Sequence, residues 1–134
     1  MLDIKFIREN KDLISSAATK KRLSFNVEEL LTKDAERLTL LKAVEELRSQ
    51  QNAASDAISK VSALERADMI ESMKKVKDEM KIKEEELEEV MKAWRSLMLL
   101  VPNIPDVTVP EGTSDADNVE TKKWGNIPTF SFTP

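Results

Sequence analysis

Two stripes of apolar residues, each stepping alternately by four and three and set only a few residues apart, restrict this chain's fold more than anything else in it. Leu40, Val44, Leu47, Gln51, Ala54, Ile58 and Val61 form the first stripe, and six of these seven are apolar. Met69, Met73, Val76, Met80, Lys83, Leu87, Val90, Trp94, Leu97 and Val101 form the second, with nine of ten apolar. This is the spacing of a and d positions in a coiled coil. Glu65-Arg66-Ala67-Asp68 lies between them as the expected turn. So short a connection makes neighbouring helices antiparallel, so residues whose numbers sum to about 130 should meet. Ile58 then faces Met73, Ala54 faces Val76, and Val44 faces Leu87. The polar seam positions follow the same rule: Gln51 faces Met80, and Lys83 faces Leu47 with its stem along the seam and its ammonium in water.

Composition supports a thin core. With 134 residues, 34% charged and 4% aromatic, the chain suits one small domain built around a seam. No Pro or Gly precedes Pro102, and all five Pro and both Gly fall in the last 33 residues, so an organisational boundary lies near residue 102. The absence of Cys excludes disulfides and thiolate metal sites, and the absence of His excludes imidazole acid/base chemistry. The longest apolar run, Leu97 to Val101, is too short to span a bilayer, and the N-terminus lacks a signal-type apolar segment. A cytoplasmic chain without membrane contact is expected.

The fold expected is all-α: a long antiparallel two-helix coiled-coil hairpin with short N-terminal helices at its base, followed by an extended Pro/Gly-containing linker. Short helices are expected over 3–22, with Asp3 capping the first, Asn10 capping the second, and Leu13, Ile14, Ala17 and Ala18 on the second's apolar side. The outgoing arm helix is expected over about 27–64. Asn26 with Glu29 reads as its capping box, and Phe25 with Leu30 as its hydrophobic staple. A bend is allowed near Thr32 to Asp34, where the apolar stepping is interrupted. The return helix is expected over 69–101, opened by Asp68 with Glu71 and closed by Pro102. At 1.5 Å per residue the paired section from Leu40 to Leu64 is roughly 40 Å long. Methionine at the far end, Met69 and Met73, suits a loosely packed tip.

Net charge is −4, but its distribution says more. Between Lys60 and Lys83 there are seven basic and five acidic residues, and Glu84 to Glu89 then adds five carboxylates without compensation. A polyanion is therefore directed to the far half of the arm. The same charges also suit an ordinary solvated helix surface, with i,i+4 pairs such as Glu71 with Lys75 and Glu79 with Lys83.

The opening MLDIKFIREN, the root segment with Leu30, Leu31 and Asp34 ahead of Arg37, the stretch VEELRSQQNAASDAISK, and the exit segment VPNIPDVTVPEGTSDADNVETKKWG together resemble the N-terminal domain of seryl-tRNA synthetase. The likeness extends over essentially the whole chain and is most specific in the exit segment. There Pro102-Asn103-Ile104-Pro105, Val109-Pro110-Glu111-Gly112, Asp117-Asn118 and Trp124-Gly125 stand in the family's order.

The resemblance implies a tRNA-binding arm projecting from a class II aminoacyl-tRNA ligase. In that family the arm reads the long variable arm of serine tRNA by shape, and crosses to the other subunit of a homodimer. Selenocysteine tRNA is left open as a second client. Candidate phosphate or sugar contacts are Arg48, Lys60, Arg66, Lys74, Lys75, Lys77 and Lys81, and without an aromatic nearby base stacking is not expected. Residues 1–101 form the arm in this reading, and residues 102–134 lead towards a catalytic domain whose motifs the chain lacks. The chain alone is then expected to be inactive, holding no cofactor of its own, with ATP and Mg belonging to the missing catalytic domain. Two alternatives are a structural or protein-interaction coiled coil with no RNA role, and an intermolecular coiled coil with the hairpin opened. The strands that prefoldins place between their helices have no room here.

Overall fold

The computed structural model describes residues 2–58, 62–126, 129 and 131–133. It falls into two compact units, Met1–Ile104 and Pro105–Pro134. The first holds four helices: α1 (Ile4–Glu9), α2 (Lys11–Lys20), α3 (Val27–Ile58) and α4 (Ala63–Leu99). No strand occurs among the described residues.

α3 and α4 pack along one another as the two legs of a hairpin. Every described seam position is buried or half-buried, whereas Glu45, Glu46, Arg48, Ser49, Asn52 and Ala53, between seam positions of α3, are exposed. Two contacts across the hairpin fix its register. The Arg37 guanidinium stacks over the Trp94 ring at 4.9 Å, and Arg48 Nη2 meets Glu84 Oε1 at 2.8 Å. Both pairs sum to about 130 in residue number, as antiparallel neighbours must if the stepping of both stripes is kept. Lys83 and Leu47 line a common cavity, and the Lys83 ammonium reaches outward to Glu86 at 2.8 Å and not back to Glu79.

The reversal lies nearer the N-terminus than the sequence suggests. α3 ends at Ile58 and α4 begins at Ala63, so Glu65-Arg66-Ala67-Asp68 forms early turns of α4, and Asp68 is no cap. Glu, Arg and Ala are strong helix formers, and an acidic residue such as Asp68 is tolerated in the early turns of a helix, so nothing in that stretch breaks one. Ser62, a preferred N-cap type, immediately precedes it, and the Ser62 carbonyl accepts the Arg66 N–H at 3.0 Å. The seam position Val61 lies outside the described residues. At the other end α4 stops at Leu99, and the next two N–H groups close a tighter turn onto Leu97 and Met98 before buried Pro102.

The root of the hairpin carries the core. Ile7, Ile14, Val27, Leu30 and Met98 are buried together, with Phe25, Trp94, Leu97, Val101 and Ile104 among the residues packed around them. Phe25 thus packs against the cluster that holds Leu30, and Asn26 Oδ1 caps α3 by accepting the Glu28 N–H at 3.0 Å. The Asp3 carboxylate caps α1 through the Lys5 N–H at 2.8 Å. Asn10 behaves differently from the expectation: its Nδ2 donates back to the Phe6 carbonyl at 3.0 Å, closing the end of α1, and no side-chain cap reaches α2. Leu13 is 44% exposed, so Ile14, Ala17 and Ala18 alone form the buried side of α2. α3 runs as one helix through Thr32 to Asp34.

That interruption of the apolar pattern has a cause. Asp34 is 1% exposed, and its carboxylate accepts Arg8 Nη2 at 2.5 Å through Oδ2 and Arg37 Nη2 at 2.8 Å through Oδ1. A carboxylate this deep needs such partners, because an unpaired buried charge is far costlier than a paired one. Arg8 comes from α1, Arg37 from α3, and Arg37 lies on Trp94 of α4, so one acidic side chain ties three helices together.

In the second unit Asp117 organises a turn around a short 3₁₀ segment, Asp115–Asp117. Its Oδ2 accepts the N–H groups of Thr113 and Ser114 at 2.5 and 3.1 Å and the Thr113 hydroxyl at 3.1 Å. Gly112 is required beside it, since a Cβ there would stand 2.5 Å from Asp117 Cβ.

Candidate nucleic-acid interface

Successive residues of a helix turn by about 100°, so α4 divides into faces that can be read directly from spacing. Arg66, Ile70, Lys74, Lys77 and Lys81 step by four, four, three and four, and form a single stripe beside the seam. All five are exposed. Arg66, Lys74 and Lys77 form no ion pair with any described residue, and Lys81 approaches Glu85 only at 3.9 Å. Glu84 continues the same stripe towards the root, so its ion pair with Arg48 places Arg48 of α3 on this side of the hairpin too.

The structure therefore sorts the seven predicted contacts. Arg66, Lys74, Lys77 and Lys81 share one face, with Arg48 at its proximal edge, already engaged by Glu84. Lys75 does not belong with them. It lies about 100° further round the helix than Lys74, and its ammonium pairs with Glu71 at 3.1 Å. Lys60 falls outside the described residues. Proximally the character reverses: Lys92 sits between Glu89 at 2.8 Å and Glu88 at 3.1 Å, whose carboxylates raise its pKa above the ordinary lysine value.

The opposite groove of the hairpin has another chemistry. One cavity of about 260 Å³ is lined by Ala54, Met69, Met73 and Val76 with Gln50 and Ser72. A second, of about 290 Å³, is lined by Ala43, Glu46, Leu47, Glu79 and Lys83. Small, amide and acidic side chains predominate there, so this groove offers a phosphate backbone less attraction than the lysine stripe does. Among the described residues no group of acidic side chains is arranged to hold a metal ion, and no helix is long and apolar enough to cross a membrane.

Sequence reasoning did not single out Ile70, which stands bare within the basic stripe, and it named Asp34 only as part of the root segment, without its role in fixing the arm to its base. The signal for Asp34 was present in its i,i+3 spacing to Arg37 and in its place within an otherwise apolar face.

Comparison with known proteins bears on the whole chain. The family described as Seryl-tRNA synthetase N-terminal domain matches residues 1–105. The serine–tRNA ligase of Deinococcus radiodurans is 37% identical over 134 residues, covering 100% of this chain and 32% of that protein. Those of Carboxydothermus hydrogenoformans and Pelobacter propionicus are 35% and 38% identical, again over 100% of this chain and 32% of theirs. The chain spans about a third of the length of the curated relatives it matches. Matched over most of its length by the family, and along all of it by these ligases, the chain belongs to the seryl-tRNA synthetase N-terminal domain family.

Proposed function

We propose that this chain is the tRNA-docking arm of a serine–tRNA ligase, and that it engages the long variable arm of serine tRNA by shape and backbone contacts. The single observation that carries this reading is the stripe of Arg66, Lys74, Lys77 and Lys81 on one exposed face of α4, in a chain of this family. Four cations in a row suit the phosphates of an RNA duplex, whose shallow minor groove is recognised through phosphates and 2′-hydroxyls more than through bases. The root cluster around Asp34 gives the arm a fixed base from which to present that face. Attachment of serine, with ATP and Mg, is assigned to the rest of the ligase, acting as a homodimer in the cytoplasm.

Binding of a long-variable-arm serine tRNA transcript, measured by filter retention at 50 and 200 mM salt, tests this reading. About four phosphate contacts give a slope near −3 in log K against log salt, so the fourfold rise in salt should weaken binding by roughly 50- to 100-fold. A tRNA without the long variable arm should bind more weakly at both salts. Equal affinity for the two tRNAs, or indifference to salt, refutes the proposal.

A further inference from the structure

Two isoleucines of α4 are almost equally bare: Ile70 is 54% exposed and Ile82 is 55% exposed. Neither belongs to the seam, and single exposed aliphatic residues are ordinary on protein surfaces, so exposure alone says nothing. Their surroundings differ completely. Residues three and four apart are neighbours on a helix surface, and around Ile82 those positions are Asp78, Glu79, Glu85 and Glu86, four carboxylates. Ile70 has Arg66 one turn before it and Lys74 one turn after it, with Lys77 a further turn along the same stripe. The flanking cations have no ion-pair partner among the described residues, so they are available to a polyanion on either side of the isoleucine.

We infer that Ile70 is the apolar contact of the RNA-binding face, seated against the ribose C–H edges of the RNA minor groove while Arg66, Lys74 and Lys77 hold the phosphates beside it. This rests on the tRNA-arm reading above. The eight residue steps from Arg66 to Lys74 span about 12 Å of helix, which leaves room for sugars between the two phosphate contacts. A-form RNA exposes its sugars in a wide, shallow minor groove, and an aliphatic side chain on a rigid helix fits that surface without the insertion that stacking demands. Burial of apolar surface does not depend on counterion release, so this contact supplies affinity that salt does not screen.

Ile70→Ala and Ile82→Ala in the 134-residue chain, titrated with a long-variable-arm serine tRNA transcript at 50 and 200 mM salt, test the inference. Both substitutions place a stronger helix former on an exposed helical position, so circular dichroism should show unchanged helicity. Ile70→Ala should weaken binding about three- to tenfold by the same factor at both salts, the worth of burying roughly half an isoleucine, and Ile82→Ala should change nothing. Equal affinities for the two variants, or an Ile70→Ala loss that disappears at one salt, overturn the inference. If Lys74→Ala with Lys77→Ala weakens binding while Ile70→Ala does not, only this inference falls. If the unaltered chain fails to bind the transcript, the arm reading falls with it.

Discussion

Removing the carboxylate of Asp34 should be the most damaging polar substitution in the arm. Its two partners are unequal: the Arg37 side chain is 17% exposed and the Arg8 side chain is 49% exposed. Breaking a buried ion pair by deleting one member costs about 3–5 kcal/mol, because the remaining charge is left uncompensated. A pair with one half-exposed partner is worth only about 0–1 kcal/mol, since water replaces what is lost. Arg37 lies nearer the buried limit and Arg8 nearer the exposed one. Asp34→Ala should therefore cost about 2–4 kcal/mol, most of it through Arg37. Urea unfolding followed by ellipticity at 222 nm should show a lower midpoint with an unchanged slope. The same transition can be followed at the root alone. Trp94 lies under Arg37, and Trp124 is 93% exposed, so a Trp124→Phe background leaves a fluorophore that reports on the cluster. Double-mutant cycles should give a larger coupling for Asp34 with Arg37 than for Asp34 with Arg8. A loss below about 1 kcal/mol for Asp34→Ala, or a larger coupling to Arg8, would refute the burial argument.

Charge reversal of Lys74, Lys75 and Lys77 together should weaken tRNA binding without loss of helicity. The structure refines this: Lys74→Glu with Lys77→Glu should reproduce nearly the whole effect and flatten the salt dependence, whereas Lys75→Glu, off the stripe and paired with Glu71, should change affinity less than twofold by an order-of-magnitude estimate. Equal losses from Lys75 and from the other two would remove the face assignment. In the second unit the Asp117 carboxyl is held below its ordinary value, chiefly by the Thr113 N–H, then by the Ser114 N–H and the Thr113 hydroxyl. A depressed folded-state pKa means that its contribution is present above the unfolded value and lost as pH falls through the folded one. The amide resonances of Thr113 and Ser114 should shift together on acidification, at a pH below that of an unstructured aspartate, and Asp117→Asn should abolish the step. A titration at the unperturbed position would show that these bonds do not persist in solution.

Much of the hairpin was legible from spacing because a seam is a local, periodic signal: one apolar stripe on each helix and a register that follows from antiparallel pairing. Arg48 shows how near that comes, since the rule that pairs Val44 with Leu87 brings Arg48 level with Lys83, one residue short of its actual partner Glu84. The position of the turn was harder to read. Ala63 to Asp68 carries helix-forming residues and a polar cap candidate at each end, Ser62 and Asp68, and spacing of the apolar positions does not choose between them. The Ser62 carbonyl accepting the Arg66 N–H settles it for this structure. Asn10 was misread because its amide can equally donate back to the Phe6 carbonyl, and Leu13 for a reason of packing. On a helix as short as α2 several apolar arcs are compatible with the sequence, and packing on α3 decides which one is buried.

The distribution of burial separates the residues that carry stability from the face proposed for recognition along the arm. Ile7, Ile14, Val27, Leu30, Asp34, Val44, Met98 and Pro102 are buried, and all lie in the first 44 residues or from 98 onward. No described residue between Glu45 and Leu97 is fully buried, so the distal seam holds through half-buried contacts alone. Apolar burial scales with area, and the outer hairpin therefore contributes less per residue than the root while incurring the same ordering cost. A helix face that carries little of the fold's stability is free to be chosen for its charge. The row of Arg66, Lys74, Lys77 and Lys81 occupies such a face, whereas the buried ion cluster around Asp34 lies where three helices converge. Substitutions at the tip should alter recognition with little change in folding, and substitutions at the root should change folding first, because the two sets of residues share almost no contacts.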